Sequence, residues 1–85
     1  MTVKIERVSA NGETRFFLSG ELRSEEVEQV NAEIASISPK VALDCAELWV
    51  VDSDGLRWLK ACEAVGVKVE NCAPYIREWM LQDKL

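Results

Sequence analysis

The stretch Trp49-Val-Val-Asp-Ser-Asp-Gly-Leu-Arg-Trp58 decides the fold of this chain. Apolar residues lead into the short polar turn Asp52–Gly55, and a pattern of helical spacing begins directly after that turn. Side-chain oxygens of aspartate and serine accept hydrogen bonds from the free N–H groups of a first helical turn. The stretch therefore predicts a strand, a capped turn and a helix in direct succession.

The turn has two interpretations. In the simpler one, Asp52 or Ser53 only caps the helix, as such residues do in nearly every domain. In the other, the unpaired N–H groups and the dipole of the helix start attract negative charge, and the Ser53 hydroxyl accepts a phosphoryl group there. Gly55 has no side chain and lets the backbone pass close to a neighbour or a ligand.

Composition and charge describe one globular domain. The 85 residues suffice for a single domain, residues 1–85, and 48% of them are hydrophobic. With 15 acidic and 10 basic residues the net charge is −5, so nucleic acid and anionic membranes are poor partners. No apolar run approaches the roughly 20 residues of a membrane span. The N-terminus lacks the apolar core of a signal peptide, so we expect a soluble, cytoplasmic protein without membrane insertion.

Cysteine and histidine usage argues against metal and catalytic sites. The chain has no His, and its three cysteines, Cys45, Cys62 and Cys72, form no CxxC motif. Zinc sites, Cys–His nucleophiles and Ser–His–Asp triads are therefore excluded or nearly so. Each cysteine lies in or directly after an apolar pattern, where Cys behaves as a small hydrophobe. We expect three reduced thiols that bind no metal and form no redox pair. We also expect no catalytic residue and no cofactor.

The residues before the central stretch predict a hairpin and a helix. Val3–Val8 alternates apolar and polar residues, which is typical of a half-buried strand. Asn11-Gly12 is a strong turn signal, and Thr14–Ser19 is predicted to form a second, antiparallel strand. Ser24 is expected to cap an amphipathic helix that runs to about Ser36.

A third strand is predicted to lead into the central stretch. Ser38-Pro39 ends the preceding helix, because a residue before proline resists helical dihedral angles. Lys40–Asp44 is short and apolar, which predicts an interior strand covered on both faces. We expect Cys45–Val51 to continue through a turn into the central stretch.

The remaining residues predict a helix, a strand and a last helix. The helix that starts at Ser53 carries Leu56, Leu59 and Cys62 on one stripe, and Gly66 is placed to end it. Val67–Asn71 alternates as a short strand, and Pro74 starts the third helix. The inward face of that helix is expected to carry Tyr75, Ile76, Trp79 and Met80. The order ββαβαβα indicates an α/β protein with parallel strand pairs joined by right-handed crossovers.

With this order in place, residues 14–82 resemble the STAS domain family, the fold of bacterial anti-sigma factor antagonists. The resemblance is carried by five segments: Leu18-Ser-Gly-Glu-Leu22, Val41-Ala-Leu-Asp44, Val50-Val-Asp-Ser-Asp-Gly-Leu56, Val67-Lys-Val-Glu-Asn71 and Pro74-Tyr-Ile-Arg77. It implies an α/β sandwich in which helices pack on a mixed four-stranded sheet. It also implies a C-terminally shortened variant, without the family's fifth strand and last helix.

The resemblance implies a regulatory protein and not an enzyme. In the family, a partner kinase phosphorylates the first hydroxyl residue after the Asp, which corresponds to Ser53 here. The unphosphorylated domain binds the kinase and frees a sigma factor, and the phosphate ends this binding. Asp54 stands where the family has a second hydroxyl residue, so a phosphate on Ser53 would meet like charges on both sides. We expect partner contacts at Asp52, Asp54, Gly55, Trp49 and Glu21.

Three classes of function stay open. The first is a phospho-regulated antagonist whose partner is a serine kinase or an anti-sigma factor. The second is a constitutive docking subunit, such as the small STAS protein attached to a lipid-transport ATPase. The third is an enzyme, for which the sequence offers few acid–base groups. The sequence does not determine the oligomeric state, and the flanking genes would best discriminate between the first two classes.

Overall fold

The computed structural model describes residues 3–35 and 40–82. The elements are, in chain order, β1 (Val3–Ala10), β2 (Glu13–Leu22), α1 (Ser24–Ala35), β3 (Val41–Val51), α2 (Ser53–Ala64), β4 (Lys68–Glu70) and α3 (Pro74–Gln82). The ββαβαβα order predicted from the sequence is confirmed. The predicted helix end at Ser36 and the predicted stop at Pro39 lie outside the described residues.

The four strands form one mixed sheet in the order β1-β2-β3-β4. β1 and β2 are antiparallel and are joined at Asn11 and Gly12, which both have positive φ angles, as a tight hairpin turn requires. β2 pairs in parallel with β3, and β3 pairs in parallel with β4. The helices α1 and α2 serve as the two crossover connections between parallel neighbours.

The core lies between the sheet and the helices. Along β2 the side chains of Phe16 and Leu18 are buried, whereas Phe17 between them points to the other side and is exposed. The predicted apolar stripe of α2 is confirmed, and its members Leu56, Leu59 and Cys62 join the same core cluster as the buried β2 residues. α2 ends as expected: Gly66, with φ +94°, donates its N–H to the Glu63 carbonyl at 3.1 Å.

The third strand is longer and less regular than the sequence predicts. We expected a strand to Asp44 followed by a turn, but β3 runs unbroken from Val41 to Val51. It pairs with β2 along its length, but the register shifts twice, between Phe17 and Ser19 and between Gly20 and Glu21 of β2. At each shift β3 has one residue more than β2. Such bulges bend a strand without ending it, so the exposed Ala46 and Glu47 lie in a bulged strand instead of a turn.

Polar side chains cover β3 on the face that carries Asp44. Asp44 is buried as predicted, but its Oδ2 accepts hydrogen bonds from Asn71 Nδ2 at 2.8 Å and Arg15 Nη1 at 3.4 Å. Arg15 also reaches Glu70 Oε1 at 2.5 Å. The burial of Asp44 therefore results from an ionic network across three strands and requires no apolar layer.

The start of α1 differs from the prediction that Ser24 caps it. Arg23 occupies the cap position, since its carbonyl accepts hydrogen bonds from the N–H groups of Glu26 at 2.9 Å and Val27 at 3.0 Å. The Glu26 carboxylate accepts in return from the Arg23 N–H at 3.0 Å. This is the reciprocal half of a capping box, and it explains why a glutamate is buried at this position.

The inward face of α3 is narrower than predicted. Ile76 and Met80 are buried in the core, but Tyr75 and Trp79 are 44% and 48% exposed, so their predicted inward placement is wrong. Residues four apart on a helix form parallel rows, and neighbouring rows point in different directions. Only the row of Ile76 and Met80 faces the core, because this nine-residue helix packs on one side, against α2.

Candidate functional site

The central turn lies where β2 and β3 end and α1 and α2 begin. Asp52 is the N-cap of α2, and its Oδ1 accepts a hydrogen bond from the Gly55 N–H at 2.8 Å. Its Oδ2 accepts a hydrogen bond at 3.2 Å from the N–H of Ser24, a residue in the first turn of α1. The Asp52 N–H donates to the Leu22 carbonyl at 3.3 Å. One aspartate thus connects the end of β2 to the starts of both helices.

Gly55 lies beneath this turn and not on its surface. A Cβ atom at this position would overlap the Leu22 carbonyl oxygen and approach Val51 Cγ1 to 3.0 Å. Only glycine allows α2 to lie so close to the end of β2. The close neighbour expected from the sequence is therefore the backbone of Leu22, and Gly55 itself is buried.

Ser53 and Asp54 are exposed in the first turn of α2. Asp54 Oδ1 accepts a hydrogen bond from Arg57 Nη1 at 2.9 Å, and both side chains are about half exposed. Arg57 also follows Ser53 by four residues, which places it on the same side of the helix as Ser53. Beside the like charges and the helix dipole expected around Ser53, the structure therefore places a cation one turn away.

An open groove of about 330 Å³ adjoins this turn between α1 and α2. It is lined by the apolar or aromatic residues Val27, Trp58 and Ala61 and by the polar residues Ser24, Asp54 and Arg57. The Trp58 indole is fixed by a hydrogen bond from its Nε1–H to Asn31 Oδ1 at 3.3 Å. A partly exposed indole with charged neighbours is a favourable surface for protein contact.

Glu21 and Trp49 lie on adjacent strands beside the turn. Glu21 is the register partner of Val50, the residue after Trp49, so the two predicted contact residues are near each other. The Glu21 side chain is mostly buried, and its Oε1 lies 3.3 Å from Arg23 Nε. Trp49 sits at the second bulge of β3 and is 65% exposed.

Tyr75 and Trp79, which the sequence predicted to face inward, are exposed on α3 near the predicted contact residue Trp49. The Tyr75 hydroxyl donates a hydrogen bond to the Trp49 carbonyl, and the Tyr75 and Trp79 rings meet edge to face with centroids 6.0 Å apart. We call Trp49, Tyr75 and Trp79 the aromatic patch. Exposed aromatic clusters of this kind mark interaction surfaces more often than isolated apolar residues do. The three aromatic residues are visible in the sequence, but their exposure depends on the orientation of α3.

Among residues 3–35 and 40–82, no group of three or more His, Cys, Asp or Glu side chains is arranged to hold a metal ion. Within the same ranges, no helix has the length and apolar character needed to cross a membrane.

Comparison with known proteins gives matches in structure and none in sequence. No protein-family model and no curated protein matches the chain. The anti-sigma factor antagonist SpoIIAA in its unphosphorylated form superposes with a TM-score of 0.67 and 21% identity, covering 95% of this chain and 83% of SpoIIAA. The chain has a STAS fold.

A second STAS structure gives the same result. The Bacillus cell fate determinant SpoIIAA in its phosphorylated form superposes with a TM-score of 0.62 and 23% identity, and 93% of this chain and 80% of that chain are covered. At these identities the likeness establishes the STAS fold alone. The resemblance inferred from the five sequence segments is thereby confirmed at the level of the fold.

Proposed function

We propose that this chain is a non-enzymatic regulatory module of the anti-sigma factor antagonist type, which binds a protein partner through the surface around Ser53. The observation that carries the proposal is the double hydrogen bonding of Asp52. This carboxylate fixes the starts of α1 and α2 together and leaves the Ser53 hydroxyl exposed at the N-terminus of α2. SpoIIAA, which shares the fold, is known in phosphorylated and unphosphorylated forms.

The surface around Ser53 is suited to bind a protein partner and to lose that partner when Ser53 is phosphorylated. The groove offers apolar side chains and an ion pair to a partner, such as a serine kinase or an anti-sigma factor. A phosphate on Ser53 would add nearly two negative charges at this surface. The N-terminus of α2 and Arg57 compensate part of that charge within the chain, but a partner matched to the unmodified surface is repelled.

The test is phosphate transfer from ATP by the serine kinase encoded nearest to this gene, followed by mass mapping. Ser53→Ala should bind the partner and resist phosphorylation, whereas Ser53→Asp should abolish binding with an unchanged circular dichroism spectrum. Asp54→Ser removes one negative charge and should raise the phosphorylation rate several-fold. Ala10→Asp is the control, because it adds the same charge to an exposed residue at the end of β1, and it should bind as wild type does. Absence of label on Ser53 in wild type and in Asp54→Ser, with binding retained in Ser53→Asp, would refute the switch.

A second candidate is a constitutive docking subunit, for example of a lipid-transport ATPase. The aromatic patch favours it, because these side chains lie on β3 and α3 and their exposure does not involve Ser53. If this function holds, Trp49→Ala and Trp79→Ala should each weaken partner binding at least about tenfold, while Ser53→Asp has no effect. The opposite pattern, with loss of binding only in Ser53→Asp, excludes it.

A further inference from the structure

The structure brings two of the three cysteines together. Cys45 lies in β3 and is fully buried, and Cys72 lies between β4 and α3 and is half-buried. The two thiols lie close enough to shift each other's pKa values. The segment that carries Cys72 is held against β3 by the register pair Asp44–Glu70 and by the hydrogen bond from Asn71 to Asp44 at 2.8 Å. All three cysteines are free thiols, and this placement argues against the expectation that no redox pair can be assembled from them.

Arg77 completes this site from α3. Its Nη1 donates to Glu63 Oε2 and its Nη2 to the Val69 carbonyl, both at 2.8 Å, which fixes the guanidinium beside Cys72. The guanidinium charge lies close enough to lower the pKa of the Cys72 thiol. A fixed cation nearby favours the thiolate form of a cysteine.

The two thiols have opposite protonation preferences. The hydrogen bond from Cys45 lowers the pKa of Cys72, and the Arg77 charge adds to this effect although partial burial opposes it. The hydrogen bond with Cys72 raises the pKa of Cys45, and burial raises it further. Cys72 therefore loses its proton more readily than Cys45 does. Cys62 in α2 differs from both, because burial raises its pKa to about 11.

We propose that Cys45 and Cys72 are an oxidisable dithiol, in which a hydroperoxide oxidises Cys72 and Cys45 converts the product to an intramolecular disulfide. In the first step the Cys72 thiolate attacks the peroxide, the O–O bond breaks, and with one proton the products are Cys72 sulfenic acid and an alcohol, or water from hydrogen peroxide. In the second step the Cys45 sulfur attacks Cys72, the S–O bond breaks, and water leaves with the Cys45 proton. Two thiols and one peroxide thus give one disulfide.

The disulfide would connect β3 to the segment that begins α3. These two elements carry the aromatic patch, with Trp49 on β3 and Tyr75 and Trp79 on α3. A cross-link between residues 45 and 72 restrains the unfolded chain, so the oxidised protein should melt at a higher temperature than the reduced protein. The proposal is independent of the function proposed for Ser53.

To test the proposal, the native full chain is treated with one equivalent of hydrogen peroxide and its remaining thiols are alkylated. The protein is then digested with trypsin in the absence of reductant. Cleavage at Lys40, Arg57, Lys68 and Arg77 separates the three cysteines into different peptides. The expected product links the peptide of Cys45 to that of Cys72, with Cys62 alkylated. Cys72 should react at least about tenfold faster than Cys62, because its thiolate is favoured. Three alkylated cysteines, or a linked peptide that contains Cys62, would overturn the proposal.

Single substitutions separate the two steps. In Cys45→Ser the reaction should stop at the sulfenic acid, which dimedone captures on Cys72. In Cys72→Ser neither a linked peptide nor a captured sulfenic acid on Cys45 is expected, and Cys62→Ser should react as wild type does. Equal dimedone capture at Cys45 in Cys72→Ser would contradict the assigned roles. The wild-type peptide map decides the pairing even if a variant folds poorly.

Discussion

Among single residues, Asp52 and Ser53 have different roles although they are neighbours in the sequence. Asp52 accepts hydrogen bonds from the first turns of both α1 and α2, and Ser53 exposes its hydroxyl. The two sequence interpretations of the turn are therefore compatible, because the cap and the candidate phosphoacceptor are different residues. The cap is observed, and phosphorylation of Ser53 stays a prediction.

Asp52→Ala should lower the free energy of unfolding by about 1–2 kcal/mol, since loss of an N-cap side chain costs roughly that amount. Asp52→Asn should retain most of the stability, because its amide oxygen still accepts one of the two hydrogen bonds. Ser53→Ala is the control and should change stability little. Urea denaturation followed by tryptophan fluorescence measures all three, and equal losses in Asp52→Ala and Ser53→Ala would contradict the assigned roles.

Gly55→Ala should destabilise the protein although alanine is the better helix former. Helix propensity alone would favour alanine by about 1 kcal/mol. The added Cβ, however, meets the Leu22 carbonyl, a backbone atom that cannot rotate away, and overpacking of this kind costs roughly 1–3 kcal/mol. The same denaturation assay decides the sign, and a stabilised Gly55→Ala variant would show that the two segments can separate at no cost.

At the scale of elements, α3 shows how one helix divides into a core row and a surface row. Ile76 and Met80 are buried, and Tyr75 and Trp79 complete the exposed aromatic patch with Trp49. The two aromatic side chains of α3 therefore contribute less to the stability of the protein than its buried side chains do. Their place on the surface makes them available to a partner.

Ile76→Ala should cost about 2–5 kcal/mol of unfolding free energy, as for other large-to-small changes in a core. Trp79→Ala should cost about 1 kcal/mol or less, because close to half of the indole is already exposed. Comparison of the two urea midpoints tests this order. A loss in Trp79→Ala as large as that in Ile76→Ala would place Trp79 in the core after all.

At the scale of the whole molecule, charged groups join strands that are distant in sequence. Arg15 on β2 pairs with Asp44 on β3 and Glu70 on β4, across the sheet face that carries Asp44. This network replaces an apolar layer over the middle of β3. It also keeps Asp44 hydrogen-bonded where the side chain is withdrawn from water.

Arg15→Gln should therefore lower the urea midpoint more than Lys68→Gln does. Lys68 pairs with Glu13 at 3.5 Å, and its side chain is more exposed than that of Arg15, so solvent screens the pair more strongly. Both variants remove one positive charge, which makes them a matched pair. Equal midpoints would mean that the network over Asp44 contributes nothing to stability.

Local sequence patterns were enough to predict which elements form and in what order. The Asn11-Gly12 turn, the polar turn Asp52–Gly55 and the glycine at Gly66 each act over a few residues, where hydrogen-bond geometry and periodicity restrict the backbone. That order, together with the five segments that resemble the STAS family, predicted the STAS fold and placed Ser53 at the exposed start of α2. The roles of Asp52, Asp54, Gly55, Trp49 and Glu21 in partner binding remain predictions, although Gly55 itself is buried.

Only the tertiary structure decided which residues from distant parts of the chain meet. The bulges of β3, the hydrogen bond between Ser24 and Asp52 and the thiol pair of Cys45 and Cys72 all join segments that local patterns treat separately. The exposure of Trp79 likewise depends on which row of α3 packs against α2. Local periodicity identifies an apolar residue, but the packing of the other elements determines whether core or solvent lies in front of it.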